Sequence, residues 1–175
     1  MNVQQALLWI EDQLGAVKGD QDTTVDARFL LSHLLDKSFT WIKTWPQHSL
    51  TDEEIESLKF ITERRQKGEP IAYIVGHRDF WNLTLKCTPA SLIPRAETEL
   101  LVEIALNYLK NFKQAKVLDL GTGTGAIGLA IAKEITSCQV TAVDFSADAV
   151  ALCEQNKKLN QIENFTVLQS DWLMG

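Results

Sequence analysis

A glycine-rich turn carries the strongest chemical signal in this sequence. The apolar run Val117–Leu120 leads directly into a row of small residues, which are Gly121, Thr122, Gly123, Thr124 and Gly125. Glycines let a backbone approach a ligand closely, where larger side chains would prevent it. A helix that starts after the turn adds unpaired N–H groups and the positive end of its dipole. Such a turn can hold a carboxylate or a phosphate equally well.

Two carboxylates near this turn distinguish between possible ligands. Gly123, Gly125 and Gly128 fit the G-x-G-x-x-G pattern, so a dinucleotide such as NAD has to be considered. Asp119, two residues before the first glycine, suits the ammonium group of a methionine moiety and would repel a pyrophosphate. Asp144, 19 residues after Gly125, can accept hydrogen bonds from ribose hydroxyls in either ligand. Asp119 therefore favours S-adenosylmethionine as the ligand. The alternative is that the turn binds no ligand and that its glycines serve only tight packing.

The segment after the third predicted strand is a second candidate for cofactor contact. In a parallel sheet the carboxyl ends of the strands line the ligand crevice. Asp171 could accept a hydrogen bond from an adenine amine there, and Trp172 could pack on the adenosine. A tryptophan that closes the edge of an apolar core is the alternative, and position alone favours neither.

Apolar residues at helical spacing predict that residues 1–75 form a small helical bundle. One apolar stripe recurs every three or four residues over 3–17, and a second helix begins between residues 22 and 26 and carries its apolar residues up to position 35. Such a bundle is near the lower size at which a single core is stable alone.

A third helix in this bundle is marked at both ends. Thr51 and Glu54 have the spacing of a capping box, in which each side chain satisfies a backbone N–H group of the other residue. The helix is predicted to end at Gly68, with basic residues in its last turn. We read the pair Arg64 and Arg65 as part of a solvated helix face.

Strands and helices alternate in the second half of the chain. Residues 76–95 are predicted to form a β-hairpin connector, and a helix follows over 100–112. The next segments predict strand, helix, strand, helix and strand at 116–120, 126–135, 139–144, 146–159 and 165–169. This order implies a parallel, doubly wound sheet. The fold class is therefore α/β, with a helical domain over 1–75, the connector over 76–95 and the sheet domain over 96–175.

Composition excludes several classes of function. Seventeen basic and 23 acidic residues give a net charge of -6, which argues against a nucleic-acid surface. The three cysteines and three histidines lack metal-ligand spacing, so we expect no metal site. Apolar runs are too short to span a membrane, and the N-terminus lacks the basic segment of a signal peptide. We expect a cytoplasmic, monomeric protein.

Five segments together resemble one known family, the bacterial release factor glutamine methyltransferases of the PrmC/HemK type. The resemblance covers essentially the whole chain, and its most specific parts are the third and last segments together with the helical N-terminus. The segments are Glu-Pro-Ile-Ala-Tyr-Ile-Val-Gly at 69–76, Asp-Phe-Trp at 79–81, Leu-Ile-Pro-Arg at 92–95 with Thr98 and Glu99, Leu-Asp-Leu-Gly-Thr-Gly-Thr-Gly at 118–125, and Gln-Ser-Asp-Trp at 169–172.

The resemblance implies a fold, a reaction and a set of contacts. Family members join a helical domain, which helps to hold the release factor, to a class I Rossmann-like methyltransferase domain. They transfer a methyl group from S-adenosylmethionine to the glutamine side-chain nitrogen in the Gly-Gly-Gln motif of class I peptide-chain release factors. By resemblance, Gly121–Gly125 contact the methionine part of the cofactor, Asp144 the ribose and Trp172 the adenosine.

The resemblance also places the loop at Leu92–Arg95 near the reaction centre. Ala96 stands where the family often has a second proline after the arginine, which departs from the pattern of this loop. Taken without the resemblance, the same residues read only as the start of a helix. Arg95 and Glu99 are the candidate residues of this loop.

The sequence departs from the family at its far end. The family's reaction centre is an Asn-Pro-Pro-Tyr motif after the fourth strand, and residues 1–175 contain no such motif. We therefore expect an N-terminal portion of a longer enzyme, truncated after the third strand, that transfers no methyl group by itself, and we assign no catalytic residue. The strand Val117–Leu120 should then present an unpaired apolar edge, which favours aggregation.

Three other functions remain open on the sequence. A nucleic-acid N-methyltransferase of the same superfamily would share the glycine turn, although the negative charge counts against it. A non-catalytic fragment could bind the cofactor or a release factor without turnover. A nicotinamide-dependent oxidoreductase is disfavoured by Asp119 and by the lack of a Tyr/Lys pair after the second strand.

Overall fold

The computed structural model describes residues 1–15 and 23–172, and the chain divides into two compact units, Met1–Val75 and Gly76–Gly175. The predicted end of the first helix and the predicted start of the second fall on residues outside the described ranges. Within those ranges, no helix is long and apolar enough to cross a membrane.

The regular elements that the structure describes in the first unit are all helices. The core of this unit gathers the apolar stripes that the sequence predicts, such as Ile10 of the first helix and Leu30 of the second, both fully buried. The helices are α1 (Val3–Gly15), α2 (Thr23–Leu35), α3 (Phe39–Thr44), α4 (Asp52–Gln66) and α5 (Ile71–Val75).

The capping box at the start of α4 is confirmed. Thr51 N–H donates to Glu54 Oε2 at 2.7 Å, and Glu54 N–H donates to Thr51 Oγ1 at 3.2 Å. Two backbone donors that the helix cannot satisfy are thus paired locally. The helix itself ends at Gln66, and Gly68 follows with a φ of 91°.

Arg65 corrects the prediction of a solvated helix face. Its Nε donates to Asp26 Oδ2 at 2.7 Å, and the two side chains are only 12% and 18% exposed. The pair joins α4 to α2, and its two residues are 39 positions apart in the sequence. Helical periodicity reveals which residues share a face of one helix, but it does not reveal a contact between two helices. Arg64 does lie nearer the surface, where it pairs with Glu69.

The second unit contains a hairpin, a short 3-10 turn and alternating helices and strands. The predicted strands and the helix over 146–159 are found at the expected positions, with Ser146 capping the latter through its Oγ. The elements are β1 (His77–Phe80), β2 (Leu83–Lys86), the 3-10 turn Ala96–Thr98, α6 (Glu99–Leu109), β3 (Lys116–Leu120), α7 (Ala126–Glu134), β4 (Gln139–Asp144), α8 (Ala147–Leu159) and β5 (Phe165–Gln169).

The hairpin of β1 and β2, predicted as a connector, is part of this unit. The strands pair antiparallel, with Phe80 opposite Leu83. Both residues are buried and belong to the same apolar core as α7 and the central strand. The hairpin therefore helps to support the sheet and does more than join two segments.

Three parallel strands form the sheet in the order β3-β4-β5. One face packs in the core with α7 and α8, through residues such as Val140 and Phe165. The other face is open, and Leu118, Leu120 and Leu168 are 50%, 38% and 51% exposed. The predicted parallel order is confirmed, and β3 is an outer strand as expected.

We expect the open apolar face of the sheet, at its outer strand β3, to cause self-association at high protein concentration. Leu118→Lys should reduce this self-association. A charge on an outer strand opposes pairing between sheets, and the half-exposed side chain contributes little to folding. The free energy of unfolding should change by no more than about 0.5 kcal/mol. Sedimentation velocity across a concentration series measures the effect, with Asn107→Lys on α6 as a charge-matched control. Equal self-association in the two variants would contradict the assignment to this face.

Candidate cofactor site

The carboxyl ends of β3, β4 and β5 bring the predicted site residues to one edge of the sheet. The glycine turn follows β3, and Asp144 ends β4. Gly123 N–H donates to Asp144 Oδ2 at 2.9 Å, which joins the two. Ser170 N–H, beyond β5, donates to the backbone carbonyl of Asp144 at 3.0 Å. The three strand ends are thus connected through a single residue of the central strand.

The backbone of the turn is held by its own hydrogen bonds. The N–H groups of Gly121 and Thr122 both donate to the carbonyl of Val143, at 2.9 and 3.0 Å. Gly125 N–H donates to the carbonyl of Thr122 at 2.8 Å. Helix α7 begins directly afterwards, and its N-cap residue, Gly125, offers no side-chain acceptor to the first turn. Within that turn Gly128 N–H donates to Asp119 Oδ2 at 3.2 Å. N–H groups at a helix start that lack an intrahelical partner can bind an anionic group of a ligand.

The glycines of the motif serve two different purposes. A Cβ on Gly125 would lie 2.7 Å from both Cys153 Sγ and a methyl carbon of Leu129, so this position requires close packing. Space is open at Gly121, where no atom lies within 4 Å of such a Cβ. Close packing thus explains Gly125. At Gly121 the space is open, and the φ of 72° is the reason for a glycine there.

Gly128, the last glycine of the G-x-G-x-x-G pattern, is a packing residue inside α7. A Cβ there would lie 2.8 Å from the Phe165 ring and 2.9 Å from Asp119 Oδ2. The third glycine of such a pattern allows close contact between helix and strand. It brings α7 directly onto the sheet without contributing to a ligand surface.

Asp119 holds the turn from within. Its Oδ2 accepts hydrogen bonds from Thr122 Oγ1 at 2.7 Å and from Gly128 N–H at 3.2 Å. Burial raises the pKa of this carboxyl, these hydrogen bonds oppose the rise, and the negative charge of Asp144 adds to it. The residue that the sequence matched to a ligand ammonium is therefore also a structural part of the turn.

Asp144 has the geometry of a hydroxyl acceptor. Its Oδ2 accepts from Gly123 N–H, and its Oδ1 accepts from Ser146 N–H at 3.0 Å. A carboxylate oxygen has two lone pairs, so each oxygen retains one acceptor position. Two neighbouring hydroxyl groups could occupy these positions without breaking the bonds that fix the side chain.

Trp172 and Phe145 are exposed aromatic residues beside this edge. Trp172 is 64% exposed, so it does not close the apolar core as the alternative reading held. Phe145, directly after Asp144, is 73% exposed, and its carbonyl accepts from Gln169 Nε2 at 3.1 Å. The sequence reasoning missed Phe145, although an aromatic residue immediately after a strand-terminal acid was a signal that could have found it.

The loop before α6 approaches the turn from the other side. Ser91 Oγ lies 2.5 Å from the position of a Cβ on Gly123, so the segment that leads into Leu92–Arg95 borders the turn. Arg95 is exposed, as is Leu92 at 88%. Glu99, in contrast, accepts a hydrogen bond from Trp81 N–H at 2.8 Å and fixes the hairpin. Among the described residues, no cluster of three metal-ligating side chains occurs.

Comparison with known proteins identifies the family. A model described as the PrmC N-terminal domain matches residues 5–76, and one described as a methyltransferase domain matches residues 111–174. The release factor glutamine methyltransferase of Aliivibrio fischeri is 48% identical over 168 residues, which are 96% of this chain and 59% of that protein. The Escherichia coli protein of that name is 43% identical over 164 residues, 94% of this chain and 59% of its own length. The chain belongs to the PrmC/HemK family.

The chain matches only part of the length of its relatives. It spans 59% of the length of these curated relatives, and 58% of a third from Shewanella oneidensis that is 45% identical over 170 residues. The two family models correspond to the helical unit and to the sheet with the glycine turn. The family and the fold class predicted from the sequence are thereby confirmed.

We expect Gly125→Ala to damage the turn. Gly125 has a φ of 87°, which costs an alanine energy, and the added methyl group would collide with Cys153 and Leu129. The free energy of unfolding should fall by at least about 2 kcal/mol. Urea unfolding measures it, with Gly15→Ala as the control, since no atom lies within 4 Å of a Cβ there. A Gly125→Ala protein as stable as this control would refute the packing argument.

Proposed function

We propose that this chain binds S-adenosyl-L-methionine at the carboxyl edge of its sheet. The observation that carries the proposal is the hydrogen bond from Gly123 N–H to Asp144, which sets a hydroxyl acceptor beside an open glycine turn. In this proposal Gly121–Gly125 receive the methionine part and Asp144 binds the two ribose hydroxyls. Trp172 and Phe145 flank the adenosine, where exposed aromatic rings can stack on a base.

The residues fit this cofactor better than a dinucleotide. Asp119 and Asp144 place two carboxylates next to the turn, and after burial the negative charge of Asp144 also contributes to the raised pKa of Asp119. Such a site attracts an ammonium group and repels a pyrophosphate. When bound, the cofactor supplies a methyl group on a positively charged sulfur, and the chain's own residues supply its orientation.

For this member of the family, the reaction we propose is methylation of the glutamine side-chain nitrogen in the Gly-Gly-Gln motif of class I peptide-chain release factors. The names and the identity of the bacterial relatives support it. An amide nitrogen is a weak nucleophile because its lone pair is delocalised, so such a reaction depends on positioning. Residues 1–175 contain no Asn-Pro-Pro-Tyr sequence, so cofactor binding is the activity to measure on them.

The helical unit is proposed to help hold the release factor. Its match to the PrmC N-terminal domain supports this assignment. Release factors act on ribosomes, so the proposed place of action is the cytoplasm. The formal charge of -6 does not favour nucleic acid as the direct substrate.

Calorimetric titration with S-adenosylhomocysteine tests the cofactor site. We expect binding by the unsubstituted chain and at least about thirtyfold weaker binding by Asp144→Ala, since two charge-assisted hydrogen bonds are lost. Asp148→Ala is the matched control, because this exposed acid lies in the first turn of α8 and should leave the dissociation constant unchanged. NAD serves as the competing ligand.

The outcomes separate the candidates clearly. Tight binding of NAD with no binding of S-adenosylhomocysteine would favour an oxidoreductase and refute the proposal. Equal losses in Asp144→Ala and Asp148→Ala would show that general charge, and not the acceptor geometry of Asp144, governs binding.

A second prediction concerns pH. The pKa of Asp119 is raised above the ordinary value of 3.8, so acidification protonates it earlier than an exposed aspartate. Loss of its charge weakens attraction to the ligand ammonium, and the dissociation constant for S-adenosylhomocysteine should rise as the pH falls through this raised pKa. Asp119→Asn should bind more weakly at neutral pH and show no such rise. Parallel pH profiles for both proteins would rule out a role for this charge.

A further inference from the structure

Asn156 is a completely buried polar side chain on α8, at 0% exposure. Its Nδ2 donates to the carbonyl of Thr124 at 2.9 Å and to the carbonyl of Lys86 at 3.2 Å. Its Oδ1 accepts from Lys86 N–H at 2.7 Å. One amide group therefore binds the last strand of the hairpin and the glycine turn at the same time.

Asn160, one helical turn later, repeats half of this arrangement. Its Oδ1 accepts from Thr84 N–H at 3.2 Å, and its Nδ2 donates to the carbonyl of Thr84 at 2.9 Å. A further bond goes to the carbonyl of Asn156 within the helix. The two asparagines thus both bind the backbone of β2, and contact with the turn distinguishes Asn156 from its neighbour.

The contact of Asn156 fixes one particular peptide unit. The carbonyl of Thr124 accepts from Asn156, and the N–H of Gly125 in the same peptide plane donates to Thr122. A peptide plane held at both its carbonyl and its N–H cannot rotate without losing a bond. This plane directly precedes α7 and follows Gly123, whose N–H binds Asp144.

We propose that Asn156 is a positioning residue for the cofactor turn and couples that turn to the hairpin. The inference rests on the proposed function, because it assigns Asn156 to the binding of the same cofactor. Cofactor contact with Gly121–Gly125 restrains the plane that Asn156 holds, and Asn156 passes this restraint to Lys86 in β2. Coupling of this kind is reciprocal, so the hairpin in turn contributes to cofactor affinity.

The coupling predicts a change at a site outside the cofactor pocket. Saturation with S-adenosylhomocysteine should slow hydrogen exchange of the Lys86 amide, which donates to Asn156. The amide of Thr84 is an internal control in the same strand, since it donates to Asn160. We expect protection of the Lys86 amide to rise at least about threefold more than that of Thr84, beyond what global stabilisation by ligand gives both.

The binding test compares Asn156→Ala with Asn160→Ala in the full 175-residue chain. Titration with S-adenosylhomocysteine is done at a temperature where circular dichroism shows both variants folded, so lower stability alone does not change the dissociation constant. We expect at least a tenfold increase for Asn156→Ala and less than about twofold for Asn160→Ala. The ligand-induced protection of Lys86 should disappear only in the first variant.

A second pair keeps the test valid if Asn156→Ala does not fold. Asn156→Leu and Asn160→Leu fill nearly the same volume without burying a charge, and only the first loses a bond to the turn. Equal dissociation constants within either pair, or unchanged protection of Lys86 in the Asn156 variant, overturn the inference while the proposed function stands. No binding by the unsubstituted chain refutes the proposed function, and the inference falls with it.

Discussion

The close approach of α7 to the sheet is the constraint on which the second unit depends. Gly128 leaves no room for a side chain between the helix, the Phe165 ring and the carboxylate of Asp119. The helix lies directly on β3 and β4, and only five residues separate the end of β3 from its first residue. The turn between them must then be short, tightly bent and rich in glycine. The geometry of the proposed cofactor turn is thus largely a consequence of packing.

Two acids are concentrated where the turn meets the sheet, in a chain that is already negative. Backbone N–H groups of Gly123, Gly128 and Ser146 donate to these carboxylates, so their charge is stabilised without a basic side chain. Their residual field favours a cationic ligand over a neutral one. Under the proposed function, the same field would bind the charged cofactor more strongly than the neutral product that remains after methyl transfer.

The sequence predicted the parts of the structure that local patterns encode. All three strands of the parallel sheet and the capping box at Thr51 lie where the patterns place them, because strand length, turn chemistry and capping are local properties. It did not predict the pair of Arg65 with Asp26 or the buried hydrogen bonds of Asn156. Polar residues on a helix suggest exposure, and only the three-dimensional fold shows that a strand edge or a distant helix covers them.

The thiol that packs against the turn has a chemical consequence of its own. Cys153 Sγ occupies the space next to Gly125, and burial raises its pKa to about 12. At neutral pH roughly one molecule in 100,000 then carries a thiolate, the form that reacts with peroxides and electrophiles. The sulfur acts as an inert apolar filler with the small volume that the turn requires. Oxidants that consume exposed thiols should therefore leave this packing contact between Cys153 and Gly125 intact.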